Sequence, residues 1–299
     1  MRQTIFNFVT LLVVAAFMAG CSGIPALIPI QASPTAAQAA TQAAAQAAEP
    51  TGTATISTPA VVTVGASPTV VPSATATHVP SKTPKPTAAP KYAPVIKASN
   101  FVKTINNPYF PLTPGTTFLF NGTKDNSKVL NQVVVTKKTR KIMGVTCVEV
   151  DDTVMVDDKL EEKTIDWYAQ DKQGNVWYFG EDSKEYNTSG KVISTEGSWL
   201  AGVKGALPGI VMQAKPEVDL SYRQEYLKGH AEDMAQILSL TESIQVPTGS
   251  YDNVLLTKDW TPLETKIVEN KWYAKGVGLV RSLMVQGGEE DMQLTEIKK

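Results

Sequence analysis

Between residues 116 and 285 the apolar side chains recur at every second position, in short runs broken by turn-forming residues. Successive side chains on a strand point to opposite faces, so this alternation predicts strands rather than helices. The runs fall at 116–120, 129–136, 145–153, 162–169, 175–179, 221–227, 235–240, 253–259, 268–274 and 279–285. Asn121-Gly122, Asp157-Asp158, the run 171–175 and Lys275-Gly276-Val277-Gly278 stand between them, and these residue types tolerate the backbone angles of tight turns. No segment carries a helical stripe, although 231–240 suits a short helix as well as a strand. The expected fold is all-β, an antiparallel barrel or sandwich.

The pattern also repeats itself. Gly144 recurs as Gly249, and Trp167-Tyr168-Ala169 recurs as Trp272-Tyr273-Ala274, both at an offset of 105 residues. Val133, Val135 and Thr136 match Leu238, Leu240 and Thr241 at the same offset; Gly174 and Val176 match Gly278 and Val280 after a one-residue deletion. The expectation is one β-meander used twice, over 111–182 and 215–286, each copy burying an apolar face against the other. Trp167 and Trp272 are then expected at equivalent core-facing positions.

The connection 183–219 is rich in Gly and Pro yet apolar, with an exposed-looking Trp199 followed by Ile210, Val211 and Met212. It reads first as a plug on one end of the barrel and second as a binding loop. Trp167, Trp272, Trp199, Ile210 and Met212 are therefore the candidate ligand-facing residues, and an apolar small molecule is the ligand they suit.

A different pattern opens the chain. Arg2 precedes an apolar run from Ile5 to Met18, then Ala19-Gly20-Cys21. This is the charged, hydrophobic and small-residue order of an export signal, and the run is shorter than the ~20 residues of a spanning helix. Met18-Ala19-Gly20-Cys21 resembles the lipobox of bacterial lipoproteins, which implies cleavage before Cys21 and diacylglyceryl attachment to its thiol. Two acyl chains suffice for stable anchoring. The expected location is the extracytoplasmic face of the cell membrane, with 1–21 as signal. Residues 22–99 are dominated by Ala, Thr, Pro, Gln, Ser and Val. Such a stretch cannot offset its conformational entropy by burial and is expected to be a disordered linker. Residues 100–299 form the domain.

From residue 100 onward there are 23 Lys and Arg against 28 Asp and Glu. That balance argues against nucleic acid and anionic lipid as main partners. With Cys21 committed to lipid, Cys147 has no partner for a disulfide, and in an alternating run it reads as a small buried hydrophobe. His78 lies in the linker, which leaves His230 alone: one imidazole makes a poor zinc site, and a Ser-His-Asp triad would have to use it. No nucleophile elbow, phosphate loop or EF-hand loop is present. The acidic pairs 151/152, 157/158, 161/162, 166/171 and 181/182/185 read as solvated turns. No cofactor and no metal is expected. The leading function is a non-enzymatic envelope lipoprotein that binds a small molecule or envelope component, or is structural. The alternative is an extracellular hydrolase using paired carboxylates, for which Asp166 and Glu181/Asp182 flank the Trp-Tyr hairpin.

Three runs carry a wider resemblance: Phe110-Pro111-Leu112-Thr113-Pro114-Gly115-Thr116, the Val-Pro-x-Gly-x-Tyr run at 246–251, and Trp272-Tyr273-Ala274-Lys275-Gly276-Val277-Gly278-Leu279-Val280. Over roughly 105–285 they resemble exported bacterial β-domain proteins of unknown activity, the TapB-like family among them. The resemblance implies a barrel-like exported domain and carries over no catalytic residue.

Overall fold

The computed structural model describes residues 91–299, so the signal, Cys21 and residues 22–90 lie outside the described residues. The domain starts earlier than the shift in composition. Tyr92 already donates to the Pro208 carbonyl at 2.8 Å, and a single 3-10 turn follows at Ala98–Asn100.

The strands, in chain order, are β1 Ile105–Asn107, β2 Phe110–Leu112, β3 Thr117–Lys124, β4 Ser127–Ile142, β5 Val145–Val156, β6 Lys159–Gln170 and β7 Val176–Tyr186. They continue with β8 Val192–Ser194, β9 Trp199–Leu200, β10 Leu207–Met212, β11 Ser221–Arg223, β12 Glu225–Tyr226, β13 Met234–Val246, β14 Gly249–Trp260, β15 Val268–Ala274, β16 Gly278–Gln286 and β17 Glu290–Lys298. Among the described residues, fifteen of these join one sheet, and β1 and β2 form a separate hairpin. All pairing is antiparallel. The order runs β11-β13-β14-β15-β16-β17-β3-β4-β5-β6-β7-β10-β12, with β8 and β9 on the far half of β7.

β11 and β12 are one stretch of chain interrupted at Gln224. The first part pairs with β13 and the second with β10, at opposite ends of the strand order. The sheet is thereby nearly closed into a barrel, which removes most of its free edges. The seam is short: β10 and β12 meet through Leu207↔Tyr226 and Pro208↔Glu225 alone.

The alternation read from the sequence is present as strands of the expected order, and 231–240 resolves as strand from Met234 onward. Six strands lie outside the expected runs. β17 is the consequential one, because it joins β16 to β3 and so links the two ends of the domain. Its apolar residues, Met292, Leu294 and Ile297, break step where the register shifts between Leu294 and Glu296. That irregularity hides the period-2 signal. The connection 183–219 is neither a simple plug nor a free loop, since it supplies β8, β9 and β10. One barrel end is covered instead by β1–β2: Gln170 Oε1 accepts the Asn106 and Asn107 amides at 2.8 Å each, and the Phe110 ring packs on Tyr168 and Tyr273.

Gly144 and Gly249 both hold positive φ at hairpin turns, β4–β5 and β13–β14. The two Trp-Tyr-Ala triplets lie on β6 and β15, each the strand after such a hairpin. Trp167 and Tyr168 occupy opposite faces of their strand, as do Trp272 and Tyr273. Each Trp lies beneath a guanidinium, Arg140 at 4.1 Å and Arg281 at 5.2 Å from the ring centroid. Tyr168 and Tyr273 are the members of the triplets that meet Phe110.

Candidate functional site

The register gives the barrel interior one apolar end and one end where carboxyls stand among buried valines. Towards the end that carries turns 143–144, 171–175 and 275–277, the inward side chains are Val135, Val148, Tyr168, Tyr178, Leu255, Tyr273 and Val280, all buried. Tyr168 and Tyr178 stack across β6 and β7 at 4.8 Å. Towards the end that carries turns 125–126, 157–158 and 287–289, the same faces turn acidic. Asp152 comes from β5, Glu162 and Asp166 from β6, Glu181 and Glu185 from β7, Glu225 from β12, Asp259 from β14 and Glu290 from β17, and every one is buried.

Alternation explains how this happens. Glu162, Thr164, Asp166 and Tyr168 share one face of β6, and Asp166 stands directly opposite Glu181 while Thr164 stands opposite Ser183. The carboxyls are interleaved with buried valines: Val150 stands opposite Asp166, Val154 opposite Glu162 and Val133 opposite Asp152.

Four of these carboxylates share one arrangement, in which one oxygen is held by a side-chain donor and the other is left without a partner. Asn131 Nδ2 donates to Asp152 Oδ1 at 2.9 Å. The Thr164 and Ser183 hydroxyls donate to Glu162 Oε1 at 2.6 and 2.9 Å. Tyr178 donates to Asp166 Oδ1 at 2.5 Å, and the Trp199 indole donates to Glu181 Oε1 at 3.1 Å. Asp152 Oδ2, Glu162 Oε2, Asp166 Oδ2 and Glu181 Oε2 have no hydrogen-bond partner, nor does Glu225 Oε2. Two buried amide oxygens, Asn131 Oδ1 and Gln224 Oε1, are in the same condition. An amide oxygen, unlike a carboxylate, cannot relieve this by taking a proton.

Burial raises the carboxyl pKa values throughout. Asp166 is pushed up to about 7, chiefly by burial, against the opposing hydrogen bond from Tyr178 and with the help of Glu162 and Asp151. Glu162 and Asp233 also rise to about 7 and Glu290 to about 9, again chiefly through burial. Asp152, Glu181 and Glu225 are displaced well upward by burial and by their acidic neighbours. Two ammonium groups enter this half: Lys271 from β15, 3.1 Å from Glu269 and 3.6 Å from Asp259, and Lys124 from β3, 3.2 Å from Glu161 and directly opposite Glu290.

The acidic pairs read as solvated turns are therefore divided. Asp157 and Asp158 do form a turn, whereas Asp152, Glu162, Asp166, Glu181 and Glu185 are strand residues aimed inward. Asp171 is buried too, accepting from Asn175 and Trp177. Ten of the 28 carboxylates from residue 100 onward are buried but only two of the 23 cations, leaving 18 carboxylates against 21 cations outside. The acidic balance that the sequence suggests for the surface resides inside the barrel.

The five candidate ligand-facing residues are dispersed. Trp199 is buried, with its ring edge-on to Tyr178 at 5.2 Å and its indole on Glu181, so it belongs to the acidic half. Met212 is fully buried, and Ile210 packs against Tyr222, Ala235 and Ile237. Trp167 donates to Glu149 at 3.3 Å, and Trp272 lies under Arg281. A small apolar depression of about 40 Å³, lined by Phe110, Pro111, Leu112, Phe118, Phe120, Val133, Val277, Gly278 and Leu279, includes none of them. Sequence reading missed Glu225, Asp233, Asp259, Lys271 and Glu290. The signal available was a charged residue on the same strand face as a core aromatic, as in Asp166-x-Tyr168 and Lys271-x-Tyr273.

No family model matches the chain, so the TapB-like resemblance has no such match behind it. No curated protein matches it either. Among solved structures the chain is similar to a Bacteroides fragilis protein assigned as exported and of YmcC-like fold, at 17% identity and a TM-score of 0.39. It is also similar to a Parabacteroides distasonis protein assigned as a lipoprotein, at 14% identity and a TM-score of 0.36. Each match covers 64% of this chain and 99% of the other.

Proposed function

We propose that this protein is a lipid-anchored extracytoplasmic lipoprotein whose barrel holds a small organic cation in its acidic half. The lipobox at Cys21 supports the anchoring. The observation that carries the binding is the set of inward carboxylates with one oxygen fixed and the other without a donor. Wall donors that orient a carboxylate while leaving an oxygen available are the arrangement of a prepared ligand shell. Among the described residues, no three His, Cys, Asp or Glu side chains are gathered closely enough to hold a metal ion. The carboxylates are instead spread over successive strands, about 4.8 Å apart. This spacing suits positive charge distributed along a molecule, such as a di- or polyamine.

Thermal unfolding with spermidine as probe tests the proposal. A ligand at a hundred times its dissociation constant adds about 2.7 kcal/mol, and each kcal/mol raises the midpoint of a domain this size by about 2–4 °C. The expected result is therefore a rise of about 5–10 °C in wild type, lost when Asp166→Asn and Glu181→Gln are combined. An equal rise in the double variant, or none in wild type, overturns the reading.

One observation favours the hydrolytic alternative. Asp166 and Glu181 face each other with raised pKa values, the condition under which one carboxyl can serve as acid and the other as base. Both lie within the closed barrel, so substrate would need the interior to open. Turnover of a glycoside or phosphoester panel that vanishes in Asp166→Asn would establish it in place of the binding role.

A further inference from the structure

We propose that the short β10–β12 seam is the route by which a ligand reaches the acidic interior, and that Tyr92 is the latch that holds it shut. The inference deepens the cation-binding reading and rests on it for the identity of what passes. Three observations carry it.

The seam is where the barrel is least joined. Every other neighbouring pair in the ring is longer, whereas β10 and β12 share two residue pairs. Adjacent to it, the chain turns sharply at Gln224, whose amide donates to the Asp233 carbonyl at 2.8 Å. Strand ends with few ladder bonds are where local opening concentrates.

The seam also leads directly to the acidic groups. Glu225 is a seam residue and is buried. The groups facing it are Asp233, Asp166 and Glu181, and the Asp233 backbone amide donates to it. Lys271 acts on Asp233 from β15, and separating β12 from β10 exposes the buried carboxyls of Glu225 and its neighbours.

Tyr92 spans the outside of the same seam. Its hydroxyl donates to the Pro208 carbonyl on β10 at 2.8 Å, and its ring meets Tyr226 on β12 edge-on at 5.8 Å. Arg223 on β11 lies over both rings, 5.6 Å from Tyr92 and 4.8 Å from Tyr226. One side chain thus bridges the two strands that share only two pairs.

The full-length lipoprotein in detergent micelles serves for the test. Hydrogen exchange, read with no ligand present, should accelerate about tenfold at Leu207–Met212 and Glu225–Tyr226 in Tyr92→Ala, less in Tyr92→Phe, and remain unchanged in β4 and β5. Unchanged exchange at the seam, or an equal rise in every strand, overturns the latch. A disulfide from Leu207→Cys with Tyr226→Cys, which are direct partners, should abolish spermidine association until reduced. Association that persists through the cross-link overturns the route. If spermidine binds neither form while the exchange result holds, the latch stands and the cation reading fails.

Discussion

Asp166 and Glu181 stand directly opposite each other on β6 and β7, inside the barrel, each with one oxygen held by an aromatic donor and the other without a partner. Tyr178 holds the first and Trp199 the second, and these two rings pack edge to face. Two carboxyls so placed cannot both ionise cheaply, because burial and like charge act in the same direction.

The domain should therefore lose stability as pH rises. A carboxyl whose pKa is raised by folding binds its proton more tightly in the fold than in the unfolded chain, so its contribution is complete below its ordinary value of 3.8 or 4.5. It is lost as pH climbs to about 7 for Asp166, Glu162 and Asp233, and to about 9 for Glu290. The melting temperature should fall steadily from pH 5 to pH 9, with a shallower slope in Asp166→Asn. A profile that rises over this range would show that the interior carboxylates are ionised and compensated.

Lys271 is the ammonium between Asp259 and Glu269, and its side chain is 1% exposed. Removing one partner of a buried ion pair leaves an uncompensated charge, so Lys271→Met should cost about 3–5 kcal/mol. Urea unfolding at pH 7 measures this. A loss below 1 kcal/mol would mean that Asp259 and Glu269 take up protons at little cost.

Burial pushes the Cys147 thiol up to about 12, so at neutral pH it is protonated as well as shielded. Native protein should react with a thiol reagent about a hundredfold more slowly than protein in denaturant. Rapid native labelling would reveal opening at the β4–β5 hairpin.

Anchoring makes a separate prediction, outside the described residues. The N-terminal peptide of the mature protein should begin at an acylated Cys21, and Cys21→Ala should incorporate no labelled palmitate. Incorporation in that variant would refute the lipobox reading. The site chemistry would be untouched.

Much of the strand content was legible because alternation is local: each run of the sequence records its own two faces. The candidate site was legible only in fragments. Asp166 and Glu181 were visible as carboxylates flanking the Trp-Tyr hairpin, but Asp259, Lys271 and Glu290 sit on three other strands that no spacing brings together.

The order of polar and apolar positions by itself determined an all-β domain, its main turns and a Trp-Tyr pattern recurring at 105 residues, and it offered an N-terminal run that resembles a lipobox. Each of these rests on neighbours in the chain. The tertiary structure decided which face of each strand turns inward, and period-2 alternation is silent on that. Trp167 and Tyr168 are both buried, yet only the face of Tyr168 carries Asp166 and Glu162. Closure of the sheet through β11 and β12, and through β17 between β16 and β3, turned that face into a lumen and gathered the domain's excess of carboxylates within it. Charge counted along the chain cannot distinguish a carboxylate in water from one in a barrel; only the pairing of distant strands does.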